Sequence, residues 1–363
     1  MSKIIAFFLS IIMFFFPTAN VPECEKDTEN LKTDYTFIFV HGLSGWGSYD
    51  FQYKFMPYWG MFGGDLMKYL NARGFDCKSA SVAPSGSAWD RACELYAQLT
   101  GTRTDYGKEH SERCGHDRYG KDFSKKPLMK DWSAENKINI FGHSFGGVTV
   151  RLLAELMANG SEAEREATPA GELSPLFEGG KGDWIYSLTT LAAPHNGTTA
   201  YGLKADGYPD GSAEADNAAH DMHIDNALAI NEKISTLPDT YYFSFTCSAT
   251  TQNDDGTWSA KNEIMEVLFR SSANEMGRIT GVTDGGFVID ESWLENDGLV
   301  NTVSAMAPYG APQTQFDEAN VQKGIWNIMP TVEGDHMSLE GGLFVNNNVR
   351  EFYADYLNFI NSL

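Results

Sequence analysis

Gly142-His143-Ser144-Phe145-Gly146 is the stretch on which the reading of this chain turns. The apolar run Ile138-Asn139-Ile140-Phe141 precedes it. The helix-like stretch Val148-Thr149-Val150-Arg151-Leu152-Leu153-Ala154-Glu155-Leu156 follows it. A strand, a sharp turn and a helix are therefore expected, with Ser144 at the apex. A tight turn leaves little room for side chains two residues either side of its apex. Glycine also permits backbone angles that other residues avoid. The turn exposes the serine hydroxyl and points the partly positive N-terminus of the next helix at an oxyanion forming beside it.

A pentapeptide of this kind is weak alone, so its context decides. Strand, serine-tipped turn and helix together make the nucleophile elbow of the α/β-hydrolases. Upstream, Tyr35-Thr36-Phe37-Ile38-Phe39-Val40 is β-rich and uncharged, as a buried central strand is. It ends in the glycine-rich loop His41-Gly42-Leu43-Ser44-Gly45-Trp46-Gly47. A helix is expected from about Asp65 to Gly74 and a strand from Asp76 to Val82. A second helix is expected from Arg91 to Leu99, with Ala92, Leu95, Tyr96 and Leu99 on one face. Residues 100–125 are polar, basic and histidine-bearing, an atypical insertion. Ile185 to Ala193 and Tyr241 to Cys247 read as further strands, while Ile279 to Ile289 is ambiguous. The alternation indicates an α/β-hydrolase fold of the α/β class, with a mostly parallel central sheet flanked by helices.

The 363 residues suit one large α/β domain, and no internal repeat or low-complexity linker divides them. A hydrophobic content of 42% points to a globular fold. The formal charge of −22 argues against nucleic acid and against docking on anionic membranes. Lys3, the apolar run Ile4 to Phe16 and the small residues around Ala19 read as a secretory signal, about residues 1–20. The catalytic domain then covers 21–363, and the protein is expected to be extracellular with no integral membrane segment after signal removal. Val21-Pro22-Glu23 lacks the small residue of a lipoprotein site, so Cys24 is read as unlipidated. The five cysteines, an odd count, leave at least one thiol without an intrachain partner.

A serine nucleophile needs a base and an acid, which in this fold follow it in the order acid, then histidine. Of the histidines after Ser144, His195, His220 and His223 come too early to leave room for a preceding acid strand. His336, in the loop Glu333-Gly334-Asp335-His336-Met337, is the expected general base. Asp297, followed by Gly298, leads as the acid, with Asp284, Asp290 and Glu295 as competitors on spacing. The oxyanion donors are expected at the backbone N–H groups of Phe145 and Leu43.

Beyond the elbow, the loop His41 to Gly47, Trp89-Asp90-Arg91-Ala92-Cys93-Glu94, Asp105-Tyr106-Gly107, Gly115-His116, Ser174 to Gly180, Pro194-His195-Asn196-Gly197-Thr198-Thr199 and Trp293 to Thr302 recur in order over nearly all of the mature chain. In these the chain resembles the secreted lipases of the Gram-positive thermophile and staphylococcal type, lipase family I.5. The resemblance implies a triad of Ser144, Asp297 and His336, and an oxyanion hole at Leu43 and Phe145. It also implies a structural zinc held by Asp90, His110, His116 and Asp216, in an insertion at about residues 84–130. Two departures stand out. Only the 16 residues from Ala200 to Ala215 separate Thr199 from Asp216, so the family's helical cap is expected to be short, at about 199–235. An open cleft would show little activation at an oil–water interface. Ser338 stands where the family's calcium site has Glu, and no Asp-Pro follows, so calcium is not carried over.

The expected function is a secreted serine carboxylic ester hydrolase, foremost a triacylglycerol lipase, its partner an acylglycerol or polyester substrate. The alternative is a lid-less esterase or polyesterase. A non-catalytic hydrolase-fold binding module is the reading from another class, against which the intact triad speaks.

Overall fold

The computed structural model describes residues 25–204, 215–342 and 349–363. The expected signal, Cys24 and the middle of the short cap lie outside the described residues.

Seven strands form the central sheet: β1 (Thr36–Val40), β2 (Cys77–Ala80), β3 (Ile138–His143), β4 (Ile185–Leu191), β5 (Tyr241–Phe245), β6 (Gln313–Gln315) and β7 (Trp326–Ile328). Their order across the sheet is β6-β7-β5-β4-β3-β1-β2. Every pairing in it is parallel, beyond the mostly parallel sheet expected. Five helices matter for the site: α1 (Leu66–Asn71), α2 (Ala88–Thr100), α3 (Lys108–Cys114), α4 (Phe145–Asn159) and α5 (Val349–Asn361).

The absence of charge in β1 follows from burial on both faces. Phe37 and Phe39 join one core with Trp59, Phe141, Phe243, Tyr353 and Leu357, under α1 and α5. Ile38 and Val40 join the opposite core with Leu95, Leu99, Ile140, Val150, Leu153 and Met157, under α2 and α4. The rings of Phe39 and Phe141, on neighbouring strands, stack at 4.6 Å.

The chain runs from β1 outward to β2, then returns to lay β3 on the other side of β1. That reversal puts a crevice at the carboxyl ends of β1 and β3, the customary ligand position in open parallel sheets. The loop beginning at His41 and the turn at Ser144 start at those two ends.

One expectation needs correction, and two open readings gain a structure. The strand sought through Cys247 ends at Phe245; Cys247 and Ser248 instead pair with Val332 and Glu333 in a separate two-stranded ribbon that delivers the chain to His336. The ambiguous run Ile279 to Ile289 is an antiparallel hairpin, Gly281–Val282 on Val288–Ile289, outside the main sheet. The insertion is ordered: Arg103–Asp105 pairs with Tyr119–Asp122 across α3. The described part of the cap region holds a 3-10 turn, Thr199–Tyr201, and two short helices, Ala218–Asp221 and Ile224–Asn231.

Candidate active site

Ser144 closes β3 and opens α4 with φ 53° and ψ −130°, a strained conformation for a non-glycine residue. Its N–H donates to the Leu191 carbonyl at 2.8 Å, so β4 holds the turn from behind. The flanking glycines serve space rather than unusual angles, which corrects half of the expectation. A Cβ on Gly142 would lie 2.4 Å from the Gly146 carbonyl oxygen. One on Gly146 would lie 2.5 Å from that of Val40. Neither glycine has positive φ; the strain sits on the serine.

Asp297 and His336 meet directly. The His336 Nδ1–H donates to Asp297 Oδ2 at 2.8 Å, and the His336 amide donates to the Asp297 carbonyl at 3.0 Å. Asp297 Oδ1 accepts from the amides of Leu299 and Val300 at 3.0 and 2.7 Å, which fixes the carboxylate. Both residues are buried. With Nδ1 engaged, Nε2 is the nitrogen left to act as base. Of the competing acids, Asp290 caps Ser292 at the surface, and none hydrogen-bonds His336 among the described residues. The imidazole of His336 lies 4.9 Å, centroid to centroid, from that of His143, the residue before Ser144. Ser144 Oγ closes no hydrogen bond among the described residues. Sites without substrate commonly hold that leg long.

The loop after β1 lies against the elbow. A Cβ on Gly42 would sit 2.7 Å from Ser144 Cβ. Among the described residues, neither the Leu43 nor the Phe145 amide has a hydrogen-bond acceptor, so each can still serve a ligand.

A buried polar cluster, not foreseen from the sequence, ties these loops together. Tyr58 Oη accepts from the Gly42 amide at 3.1 Å and donates to His143 Nδ1 at 2.7 Å. His143 Nε2–H donates to the His336 carbonyl at 2.8 Å. Burial, helped by the charge of a nearby His336, pulls the His143 pKa down to about 3, so the ring is neutral and bridges rather than titrates. Glu340 Oε2 lies 3.3 Å from His143 Nδ1. Burial raises the Glu340 carboxyl well above the usual carboxylate range. His143 sits inside the quoted pentapeptide, but nothing in the sequence ties it to Tyr58 or Glu340.

A second cluster lies at the insertion. Asp90, in the first turn of α2, and Asp216 converge on His110 Nε2 at 3.2 and 3.3 Å, and on His116 Nε2 at 3.8 and 3.3 Å. Burial opposes a charge on His110. Asp216 and Asp90 overcome it and hold the imidazole up to about 9, so the site attracts positive charge. His116 Nε2 is buried and makes no well-formed hydrogen bond, an orphaned donor atom facing two carboxylates. Cys114 joins the group, with donor atoms of His110, Cys114, His116 and Asp216 all within 4.8 Å of one another. The i, i+4 spacing of His110 and Cys114 was the available signal for it. Trp89 stacks on His110 at 5.1 Å. This is a possible metal-binding cluster; three of the four residues expected to ligate fall in the mutually close group, and Asp90 borders it through His110 and His116.

The family model described as "Lipase-like, C-terminal domain" matches residues 33–207 and 212–362. The lipase of Staphylococcus hyicus is 31% identical over 88% of this chain and 56% of its own length. A lipase of Staphylococcus epidermidis is 31% identical over 85% of this chain and 50% of its own. The chain thus spans about half the length of the curated relatives it matches. The structure of EstA from Clostridium botulinum superposes with a TM-score of 0.82 at 32% identity, over 96% of this chain and 91% of that one. The Staphylococcus hyicus lipase structure does so with a TM-score of 0.80 at 31% identity, over 92% and 98%.

Proposed function

The chain belongs to the lipase-like family, and from that premise we propose that it is a secreted serine hydrolase of carboxylic esters acting foremost on triacylglycerols. The observation that carries the chemistry is the Asp297–His336 hydrogen bond, placed beside the elbow that presents Ser144.

Ser144 Oγ attacks the ester carbonyl carbon while His336 Nε2 takes the hydroxyl proton. Asp297 keeps the proton on Nδ1 and stabilises the imidazolium. The carbonyl oxygen gathers negative charge between the free amides of Leu43 and Phe145, at the N-terminus of α4. Collapse expels the alcohol, which leaves with the proton held on Nε2. Water, deprotonated by the same nitrogen, then attacks the acyl-enzyme, and the acid departs.

Asp90, His110, His116 and Asp216 would hold a structural zinc. Two carboxylates and two imidazoles form a common zinc set, and donors about 2.0–2.1 Å from a tetrahedral ion lie about 3.3 Å apart. The separations of 3.2–3.8 Å fit that figure. Bound zinc supplies a cross-link between the insertion and the cap segment and stands apart from the acyl transfer. The apolar N-terminal run supports export; no helix among the described residues is long and apolar enough to cross a membrane.

An alkyl phosphonate ester should label Ser144 with one equivalent, and Ser144→Ala should lose on the order of 10⁶ in turnover on emulsified triglyceride. Labelling elsewhere, or turnover that survives the substitution, would refute the assignment.

A further inference from the structure

The motif Trp89-Asp90-Arg91 contributes Trp89 and Asp90 to the metal cluster, yet the mechanism leaves Arg91 unused. Arg91 is fully buried on α2. Among the described residues no carboxylate forms an ion pair with it. Glu94 supports the charge only from beyond ion-pair distance, and a buried cation without a contacting counter-ion is costly to keep. Its donors go to oxygen atoms around one loop. Nη2 donates to the His41 carbonyl, and Nη1 to those of Gly42 at 3.3 Å and Ala83 at 3.0 Å. Nε donates to Thr149 Oγ1 at 2.9 Å, and the guanidinium carbon lies 5.2 Å from the centroid of the Phe145 ring. A guanidinium keeps its charge at neutral pH, so the loop's oxygen atoms face a cation.

The peptide group joining Gly42 to Leu43 gives this contact its meaning. Gly42 supplies the C=O and Leu43 the N–H of one conjugated unit. A cation hydrogen-bonded to the carbonyl draws electron density from the nitrogen and strengthens the N–H as a donor. The Gly42 oxygen also accepts from the Gly45 amide at 3.2 Å and lies 2.9 Å from His41 Nδ1. The carbonyl is thus loaded with donors on the side away from the ester.

We propose that Arg91 is a positioning residue of the oxyanion hole: from beneath the loop it fixes the Gly42–Leu43 peptide and, through that peptide, polarises the Leu43 N–H toward the tetrahedral intermediate. The inference rests on the ester-hydrolase reading above. It deepens that reading by naming what powers a backbone donor that side-chain substitution at Leu43 cannot probe.

The test compares the wild-type protein with Arg91→Met and Arg91→Lys, with rates expressed per phosphonate-titrated site so that misfolded material does not count. Arg91→Met should lower kcat about 10- to 100-fold, below the full loss of an oxyanion donor, with KM changed less than about threefold. Affinity for an alkyl boronic acid, which becomes tetrahedral on Ser144, should fall by the same factor as kcat/KM. Arg91→Lys keeps the charge but not the fork, and should lose only a few-fold in both. A purely structural role would lower the melting temperature and the titratable fraction without moving boronate affinity per site. That result in Arg91→Met overturns the proposal. If Arg91→Met does not fold, Arg91→Lys decides: unchanged kcat and unchanged boronate affinity overturn it. Failure of the wild-type protein to take up the phosphonate would instead remove the hydrolase reading itself.

Discussion

Tyr58 shows how much one hydroxyl can hold. It stands between the Gly42 amide and the His143 ring, and His143 in turn holds the backbone of His336. Tyr58→Phe keeps the ring packing, leaves the buried Gly42 amide without a partner and leaves His143 Nδ1 with only the Glu340 carboxyl nearby. Such an orphan costs about 1–3 kcal/mol, so urea unfolding should show a loss of at least roughly 1 kcal/mol, accompanied by a drop in kcat larger than any change in KM. A variant as stable and as fast as wild type would show that these loops are held by other means. The same residues mark the limit of what the sequence discloses. Ser144 and His336 stood out as candidates because the motif and the chain order single them out. Asp297 led Asp284, Asp290 and Glu295 only modestly on local sequence, and the family resemblance added the rest. Tyr58, Glu340 and the role of Arg91 were not legible, because a side chain's polar partners are set by packing between segments far apart in the chain.

At the level of elements, α2 does two jobs from adjacent positions. Successive helical residues point about 100° apart; Asp90 faces the candidate metal cluster while Arg91 faces the loop after β1. A second fastening acts on α3. The buried Glu164 carboxylate accepts from the amides of Glu109 and His110 at 3.1 and 2.8 Å, satisfying the free N-terminus of that helix. Removing metal with a strong chelator should therefore lower the melting temperature substantially while leaving the fold assembled. An unchanged melting curve, with metal shown to have been present and removed, would refute a structural zinc. The strong elements, β1, β3, β4, α2 and α4, could be read from periodicity and lack of charge. The short strands Gln313–Gln315 and Trp326–Ile328 could not, for three residues carry no period. The helix Val349–Asn361 was missed although Val349, Tyr353, Tyr356, Leu357 and Ile360 fall on one helical face, all of them buried.

The whole molecule keeps three imidazoles inside as neutral groups. Burial drives His41 and His143 down to about 3 and His195 well below its ordinary value. In the unfolded chain each would titrate near 6.5. The unfolded state therefore binds more protons as pH falls below that value, and stability drops toward the folded values near 3. Between pH 7.5 and 5.5, where most carboxylates stay ionised, the loss should reach roughly 1 kcal/mol per imidazole. Urea midpoints should fall by the sum for the three rings less the opposing share of His110, whose value is held up to about 9, and a midpoint that does not fall at all would mean that the three rings are not neutral in the folded state. Glu340 acts in the opposite sense: its raised value favours the fold at low pH and taxes it as pH rises. The sheet carries one more consequence. Its central pairing joins residues 36–40 to 138–142, across about 100 residues of intervening chain. The first strand to be synthesised must wait, with Phe37 to Val40 unmatched on that flank, until the serine turn itself has been made. Assembly of the sheet's middle and appearance of Ser144 thus fall at the same moment of synthesis, and a chain interrupted before that moment offers its stickiest edge to its neighbours.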